Sequence, residues 1–343
     1  MSRTVLVTGG SGYFGTVVVD QLVARGDRVR VLDLNAPSPR ADGAVEVVVG
    51  DIRDRPAVAQ ACEGVDLVVH SVAQVPLARD RHLFHSVNVV GTAELLVAAR
   101  SAGVAKVVTL SSSAIFGIPA SNPVTEDTPP RPLEAYGKAK AEAEVLCREA
   151  VASGLDVTVI RPRTILGHGR LGIFGLLFDF VAEGAPVYVL DEGSNRYQFV
   201  HADDLADACL RALDRPGPAT YNIGTTDFGT MRDTLEALVA HAGTGSRVQS
   251  LPSAPARLAM QALSTVGAAP FAPYHWLLYG ESLWFDTSRA EAELGWTSTR
   301  SNAEMVIESY EWYLAHRDHL AGGSAHQSPV RLGALAVLKR LHR

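Results

Sequence analysis

The chain has 343 residues, of which 47% are hydrophobic and 20% are charged, which suits one large domain with a buried core and a smaller lobe. Its formal net charge of −6, with no basic stripe in the main body, argues against nucleic acid as a partner. Cys62, Cys147 and Cys209 lie far apart, and no close cysteine or histidine spacing suggests a metal site, so we expect reduced thiols in a cytoplasmic protein.

Apolar strands alternate with amphipathic stretches through the first half of the chain. No signal peptide precedes them, and no apolar run is long enough to span a bilayer. The alternation predicts right-handed βαβ units and a doubly wound α/β fold, the Rossmann fold, with a parallel sheet covered on both faces. Strands are expected near 3–8, 28–33, 45–49, 65–70, 105–111 and 156–161, and helices near 13–25, 55–62, 80–102 and 134–152.

After Arg161-Pro162 the alternation weakens, and glycine- and proline-containing segments mix with helices. We therefore predict a first domain over residues 1–162, a smaller C-terminal lobe mainly over 163–320, and a basic apolar tail over 321–343. Strands near 199–201 and 219–222 are expected to return to the main sheet. The tail has four open interpretations: it docks on its own lobe, pairs with a second subunit, rests on an anionic membrane surface, or is a disordered end.

A glycine-punctuated turn follows the first apolar strand and precedes a helix. Gly9, Gly12 and Gly15 let the backbone turn tightly and approach a pyrophosphate, with Tyr13 and Phe14 at the start of the helix. The free N–H groups and the positive dipole end of that helix face the phosphates. The turn predicts a dinucleotide-binding site.

Asp33 ends the second strand, eighteen residues after Gly15. A carboxylate there can accept hydrogen bonds from both adenosine ribose hydroxyls and would repel a 2′-phosphate. The sequence therefore favours NAD over NADP, although Arg30 and Arg40 lie nearby.

Tyr136 and Lys140 are four residues apart, so on a helix they lie on one face about one turn from each other. A nearby ammonium and a positively charged nicotinamide stabilise a phenolate and bring its pKa toward the working range of a base. Lys140 can also donate to the nicotinamide ribose. A serine cluster, Ser111-Ser112-Ser113, follows a strand of the predicted sheet, where ligands bind and where a hydroxyl can bond the substrate oxygen.

Together these residues resemble the extended short-chain dehydrogenase/reductase family, also called the NAD-dependent epimerase/dehydratase family, over roughly residues 3–315. Further motifs follow in that family's order: Gly50 to Arg53, His70 to Ala73, Asn88 to Thr92, Arg161 to Gly167 and Phe199 to Asp204. The resemblance implies that the catalytic residues are Ser112, Tyr136 and Lys140, with Ser113 as the second choice for the catalytic hydroxyl. It also implies further cofactor contacts at Asp51, Ile52, Ser71, Ala73 and Asn88.

The chain departs from the family's pattern at two places. Relatives that eliminate water usually carry Asp-Glu after the catalytic hydroxyl, and those that decarboxylate usually carry Glu, whereas this chain has Ser113 and Ala114. Dehydration and decarboxylation are therefore disfavoured, and the reaction that remains is oxidation or reduction at a secondary alcohol, alone or as part of an epimerisation. Nucleotide-sugar relatives usually show Arg-Tyr-Phe-Asn where this chain has Arg161 to Thr164, which is closer to relatives acting on sterols and other alcohols.

The substrate itself is less well defined by the sequence. Candidate contacts are Ser113, Arg163, Thr164, Arg170 and Arg196, whose arginines could hold a diphosphate or be solvated surface residues. We predict an NAD-dependent epimerase/oxidoreductase that transfers hydride at a secondary alcohol or ketone of a sugar or nucleotide sugar, working as a homodimer. Two alternatives stay open: a 3β-hydroxysteroid-dehydrogenase-like enzyme on an apolar alcohol, and a non-catalytic NAD-binding or sensing protein.

Overall fold

The computed structural model describes residues 3–36, 45–75, 81–171, 174–265 and 279–319, so the predicted tail over 321–343 and Arg40 lie outside it. The strands are β1 Thr4–Thr8, β2 Arg28–Asp33, β3 Val45–Val49, β4 Leu67–His70, β5 Lys106–Leu110, β6 Val157–Pro162, β7 Thr164–Leu166, β8 Val187–Leu190, β9 Phe199–His201, β10 Ala219–Ile223 and β11 Val248–Leu251. The helices are α1 Tyr13–Ala24, α2 Arg55–Cys62, α3 Arg81–His85, α4 Gly91–Ser101, α5 Ala135–Ala152, α6 Phe174–Ala182, α7 Ala202–Asp214, α8 Met231–Ala242, α9 Ser253–Thr265, α10 Ser288–Leu294 and α11 Asn302–His316. A π-helical turn spans Ser86–Val90, and 3₁₀ turns span Ser113–Phe116 and Arg317–His319.

Seven strands form one parallel sheet in the order β10-β6-β5-β4-β1-β2-β3. β1 lies inside it, with Val5 opposite Val29 on one side and Leu67 on the other. The strand order reverses between β1 and β4, and in an open parallel sheet this is where a ligand crevice forms. The predicted doubly wound fold is confirmed.

Helices cover both faces of the sheet because successive strand side chains point to opposite faces. Val5 and Val7 pack in one core with Val18 of α1 and Leu205 of α7. Leu6 packs in a second core on the other face, which includes Val58 of α2, Leu95 of α4 and Cys147 of α5. The two cores hold the carboxyl ends of all the parallel strands in a fixed arrangement.

One of the two expected returning strands is placed differently. β10 joins the main sheet as predicted, with Tyr221 opposite Ile160 of β6. The prediction for residues 199–201 is wrong, because β9 pairs with β7 in a separate two-stranded sheet. The position beside β6 is already filled by β10, so β9 bonds to the short strand that diverges from β6 after Pro162.

The C-terminal part of the chain has a core of its own. Phe178 of α6, Phe199 of β9, Leu235 of α8 and Tyr310 of α11 are buried together. The exact division into a domain over 1–162 and a lobe over 163–320 stays a prediction. Among the residues described above, no helix has both the length and the apolarity to cross a membrane.

Candidate active site

The glycine turn leaves the start of α1 open to an anion. The Gly9 N–H donates to Leu32 O (2.8 Å), and Gly9 has a φ of +75° that favours glycine. A Cβ on Gly15 would lie 2.0 Å from Gly9 O, so only glycine allows this close approach. α1 begins after Gly12 with no side-chain cap and no acid in its first turn. Its free N–H groups therefore fit the pyrophosphate of a dinucleotide.

The two aromatic residues that begin α1 differ in their environment. The Phe14 side chain is buried in the core, so only its backbone N–H is available to a cofactor. The Tyr13 ring is half-buried, and the guanidinium carbon of Arg170 lies 5.5 Å from its centroid. Tyr13 therefore lies between the turn and the residues that follow β7.

The Asp33 carboxylate is held beside the glycine turn. Its oxygens accept hydrogen bonds from the Ser11 N–H (3.1 Å) and the Asn35 N–H (3.1 Å). Arg30 lies near enough in sequence to bind the 2′-phosphate of NADP, but its Nε donates to the Glu46 carboxylate at 2.9 Å. With that guanidinium engaged elsewhere, the acid at the end of β2 fits a ribose diol better than a phosphate.

Asp51 and Ile52 follow β3 at the same edge of the sheet. The Asp51 carboxylate accepts from Arg53 Nη2 (2.5 Å) and Nε (2.9 Å), and this side-chain hydrogen bond holds its pKa below the ordinary value. Ile52 is buried, and a Cβ on Gly91 would lie 2.7 Å from its Cγ2. The adenine contact expected of these residues stays a prediction.

Asn88, in the π-helical turn, holds the loop that follows β4. Its Oδ1 accepts from the Gln74 N–H (2.8 Å), and its Nδ2 donates to Gln74 O (3.0 Å). The same loop contains Ser71, whose hydroxyl donates to Thr8 O (2.8 Å), and Ala73, which is half-buried. The structure therefore gives Asn88 a role in positioning this loop, and the cofactor contact expected of Asn88 stays a prediction.

A buried hydrogen-bond chain through His70 joins this loop to the turn. Thr92 Oγ1 donates to Asn88 O (2.7 Å), so it accepts from His70 Nε2 (3.1 Å), and Nδ1 accepts from Thr8 Oγ1 (2.7 Å). Burial, with the Lys140 charge, lowers the pKa of His70 to about 3, so the imidazole is neutral. The sequence placed His70 in a motif but could not show these partners, which come from β1 and α4.

Ser112 and Tyr136 meet at the carboxyl end of β5. Ser112 Oγ accepts from the Ala114 N–H (3.2 Å) at the start of the 3₁₀ turn. Tyr136 is 8% exposed, and its ring packs edge-on against Phe84 with centroids 6.1 Å apart. Burial raises the pKa of Tyr136 to about 12, although the nearby Ser112 hydroxyl acts to lower it.

Two cations, Lys140 on α5 and Arg170 after β7, belong to this part of the site. Lys140 is buried one turn after Tyr136, and its Nζ donates to Leu110 O (2.8 Å). Burial lowers the pKa of Lys140 to about 8. Against the effect of burial, the charge of Arg170 lowers the pKa of Tyr136. Arg170, expected to contact the substrate, therefore also acts on the proposed base.

Glu134 is a site residue that the sequence reasoning missed. Its carboxylate accepts from the Tyr136 N–H (2.7 Å) and the Gly137 N–H (2.5 Å), so it caps α5. A Cβ on Gly137 would lie 2.5 Å from Ala114 O, so this glycine lets α5 approach the Ser112 turn. An acid directly before the helix start was a usable signal, since a negative charge is stabilised by the N-terminal end of a helix.

A buried ion pair fixes α5 to the sheet. Arg161 Nε and Nη2 donate to the two oxygens of Glu144 at 2.9 and 2.7 Å, and Arg161 Nη1 donates to Glu126 O (3.0 Å). Both side chains of the pair are less than a tenth exposed. The pair places the Tyr136–Lys140 face against the ends of β5 and β6.

The candidate substrate residues differ in their surroundings. Thr164 Oγ1 is hydrogen-bonded to Tyr197 Oη (2.7 Å), and the guanidinium carbon of Arg163 lies 4.8 Å from the centroid of the same tyrosine ring. Arg196 is exposed, and Ser113 is buried in the 3₁₀ turn. The guanidinium carbon of Arg196 lies over Phe228 and Trp284, 4.8 and 4.7 Å from their ring centroids.

No group of three or more histidine, cysteine, aspartate or glutamate side chains within the described ranges could hold a metal ion.

Comparisons with known proteins identify the family of this chain and several of its relatives. The family model described as "NAD dependent epimerase/dehydratase family" matches residues 5–224. The chain is 50% identical over 339 residues to "Uncharacterized protein y4nG" of Sinorhizobium fredii, which covers 98% of this chain and 85% of that protein. It is 30% identical over 330 residues to a UDP-glucose 4-epimerase of Mycolicibacterium smegmatis, covering 90% and 97% of the two chains.

Two further similarities bear on the chemistry. The chain is 34% identical over 250 residues to sterol demethylase protein B of Methylococcus capsulatus, covering 69% and 75% of the two chains. Among solved structures, MoeE5 in complex with UDP-glucose and NAD is similar with a TM-score of 0.74 and 26% identity, covering 92% of this chain and 99% of that one.

The family match contains both the glycine turn and the Tyr136–Lys140 helix, and it spans more than half of the chain. The chain therefore belongs to the NAD-dependent epimerase/dehydratase family, and it is an enzyme that uses NAD. This assignment removes the alternative of a non-catalytic NAD-binding or sensing protein.

Proposed function

We propose that the enzyme is an NAD-dependent epimerase/oxidoreductase that acts at a secondary alcohol or ketone of a sugar or nucleotide sugar. The observation that carries this proposal is the meeting of Ser112 and Tyr136 at the carboxyl end of β5, where Ser112 lies close enough to lower the pKa of the phenol, with Lys140 one turn further along α5. The similarity to a UDP-glucose 4-epimerase and to MoeE5 with UDP-glucose supports a sugar nucleotide.

The cofactor would be held along the edge of the sheet at the switch point. We assign the pyrophosphate to the turn and helix start, the adenosine ribose to Asp33, and the nicotinamide ribose to Tyr136 and Lys140. The remaining proposed cofactor residues are Gly9, Gly12, Tyr13, Phe14, Gly15, Asp51, Ile52, Ser71, Ala73 and, through its loop, Asn88. Bound NAD would accept a hydride from the substrate carbon, can return it, and brings a positive ring that favours a phenolate.

The protein's own residues would move the proton. Tyr136 removes it from the substrate hydroxyl, or returns it to the ketone oxygen, while Ser112 bonds that oxygen. A pKa near 12, which already includes the lowering effect of Arg170, leaves little phenolate at neutral pH, so the positive charge of a bound nicotinamide would be needed to lower it further. Return of the hydride to the other face of a rotated ketone would give net epimerisation.

The surroundings of Tyr136 disfavour the other reactions of the family. Ser113 and Ala114 follow the catalytic hydroxyl and are buried without a carboxylate. The carboxylate of Glu134 is bonded to the Tyr136 and Gly137 N–H groups. With that acid engaged in capping α5, dehydration and decarboxylation lack the additional carboxylate that they require.

A second candidate function is oxidation of an apolar alcohol in the manner of a 3β-hydroxysteroid dehydrogenase. The similarity to sterol demethylase protein B and the Arg161-Pro162 sequence favour it. It differs from an epimerase in one measurable respect, because the reduced cofactor must leave after each turnover.

The two candidates are separated by measuring turnover without added cofactor. The absorbance of the freshly purified protein shows whether NADH is retained, and UDP-glucose is then supplied with no further NAD. An epimerase converts it to UDP-galactose, whereas a dehydrogenase forms NADH in proportion to substrate only when NAD is added. The matched control is Tyr136→Phe, which should be inactive in both assays. No reaction with sugar nucleotides or with sterol alcohols, with or without NAD, would contradict both candidates.

We also propose a homodimer in the cytoplasm. Val97 of α4 and Val145 of α5 are 56% and 41% exposed on neighbouring helices, which suits an apolar contact between two copies. All three cysteines are buried and unpaired, as expected in a reducing compartment. Light scattering should give twice the chain mass for the native protein and a monomer for Val97→Glu/Val145→Glu. A native monomer would contradict the dimer.

A further inference from the structure

A tight turn over residues 167–170, the Arg170 turn, follows β7 and leads into the candidate active site. The Arg170 N–H donates to Gly167 O (3.1 Å), which closes the turn. Gly167 and Gly169 have φ values of +134° and +77°, so the turn depends on glycine at both positions. The guanidinium carbon of Arg170 lies 5.5 Å from the centroid of the Tyr13 ring. Since Tyr13 begins α1, the turn places a cation next to the cofactor residues.

Two successive residues of α11, in the C-terminal part of the chain, hold the Arg170 turn. Ser309 Oγ accepts from the Gly167 N–H (3.1 Å) and donates to Met305 O (2.8 Å). Glu308 Oε1 pairs with Nε2 of His168, the second residue of the turn. The turn is therefore bonded to α11 through its backbone and through one exposed side chain.

Glu308 is itself held by charged and polar groups outside the turn. Its Oε2 accepts from Arg300 Nε (2.9 Å), and its Oε1 lies 3.5 Å from His201 Nε2. His201 Nδ1 accepts from the Asp203 N–H (3.2 Å), so in the neutral ring the proton is on Nε2 and faces Glu308. Together with His168, these groups face the carboxylate from three segments of the chain. Glu308 thus connects the Arg170 turn to β9 and to the start of α11.

The charge that the turn carries acts on the proposed base. Burial raises the pKa of Tyr13 and of Tyr136, and the charge of Arg170 lowers both. The charge of Glu134 raises the pKa of Tyr136, so the acid and the cation oppose each other at the phenol. A change in the position of Arg170 would therefore change how readily the Tyr136 phenolate forms.

We propose that Glu308 is a positioning residue that acts on the base through the Arg170 turn, by holding the Arg170 guanidinium against Tyr13. This inference rests on the proposed function in one respect, since it takes Tyr136 as the base. It extends that function by giving α11 a part in proton transfer without a contact to cofactor or substrate. The direction of the effect is diagnostic. Loss of a nearby acid would by itself favour the phenolate, whereas loss of the support of Arg170 disfavours it.

The test is the ultraviolet absorbance of tyrosinate between about pH 7 and pH 10, measured on NAD-loaded protein without substrate. The difference between each protein and the same protein carrying Tyr136→Phe gives the phenolate fraction of Tyr136. At a given pH, Arg170→Met should lower that fraction about tenfold, and Glu308→Ala about threefold. The double variant should equal Arg170→Met, because Glu308 acts through Arg170. Glu311→Ala is the matched control and should leave the fraction unchanged, since Glu311 is on the same helix but bonds His241 (2.6 Å).

Glu308→Gln is a second variant that keeps the shape of the side chain and one acceptor oxygen. It should lower the phenolate fraction less than Glu308→Ala, and it decides the question if the alanine variant does not fold. An equal or higher fraction than in the native protein would overturn the inference, as would a double variant with a lower fraction than Arg170→Met. No Tyr136-dependent absorbance in the native protein would refute Tyr136 as the base, and with it both the proposed function and this inference. Because no turnover is measured, the expected absorbances without hydride transfer would refute only the proposed function.

Discussion

The role of Tyr136 can be tested by removing its hydroxyl alone. Tyr136→Phe keeps the ring, which is 8% exposed and packs edge-on against Phe84, so the fold should be unchanged and NAD affinity should stay within a few fold. Loss of a positioned acid–base group lowers the rate by on the order of 10²–10⁴. That loss corresponds to about 3–5 kcal/mol of transition-state stabilisation.

The pH dependence supplies the sharper measurement. Burial raises the pKa of Tyr136 to about 12, while Ser112 and Arg170 lower it. Below that pKa, the phenolate fraction grows with pH, so kcat/KM for alcohol oxidation should rise from about pH 6 to pH 10. The rise should disappear in Tyr136→Phe and move to higher pH in Ser112→Ala, because the hydroxyl that lowers the pKa of Tyr136 is then absent.

The assay is the initial rate of UDP-galactose formation from UDP-glucose for an epimerase, or of NADH formation for a dehydrogenase, with NAD affinity measured separately by fluorescence titration. Tyr313→Phe is the matched control, since it removes a tyrosine hydroxyl that bonds Asp179 in the C-terminal core, and turnover should change by only a few fold. Near-native turnover in Tyr136→Phe would refute the assignment of Tyr136 as the base. A native pH profile in that variant would refute it equally.

Three further changes test the parts of the structure that surround Tyr136. Asp33→Ala should weaken NAD binding and reduce the preference of the enzyme for NAD over NADP, measured as the two dissociation constants. A native enzyme that prefers NADP would contradict the placement of Asp33 against the ribose. Glu144→Ala leaves a buried guanidinium unpaired and should lower the free energy of unfolding by about 3–5 kcal/mol in urea titrations; a loss below about 1 kcal/mol would contradict it. His70 has a pKa lowered by burial from 6.5 to about 3, so over that range the unfolded chain binds a proton that the folded chain does not, and stability falls as the pH falls. His70→Gln should make the free energy of unfolding less dependent on pH between about 7 and 4, and an unchanged dependence would show that His70 does not contribute.

Sequence signals of short range determined the fold class and the positions of the main motifs. The alternation of strands and helices predicted the doubly wound sheet, and the glycine spacing predicted the turn between β1 and α1. The four-residue spacing of Tyr136 and Lys140 predicted one face of α5. These features depend on backbone geometry within one or two turns of chain, so the residues themselves are enough to indicate them.

Only the tertiary structure decided how distant segments meet. It placed Phe199–His201 beside β7, because β10 occupies the edge of β6. It paired Arg161 with Glu144 and placed the guanidinium of Arg163, two residues later, against the Tyr197 ring, with no hydrogen-bond partner for Nε and Nη2 among the described residues. It also placed Arg170 where its charge acts on Tyr136. The physical reason is that such contacts depend on which strand edges and helix faces are already filled, and neither periodicity nor residue spacing in a single sequence records that.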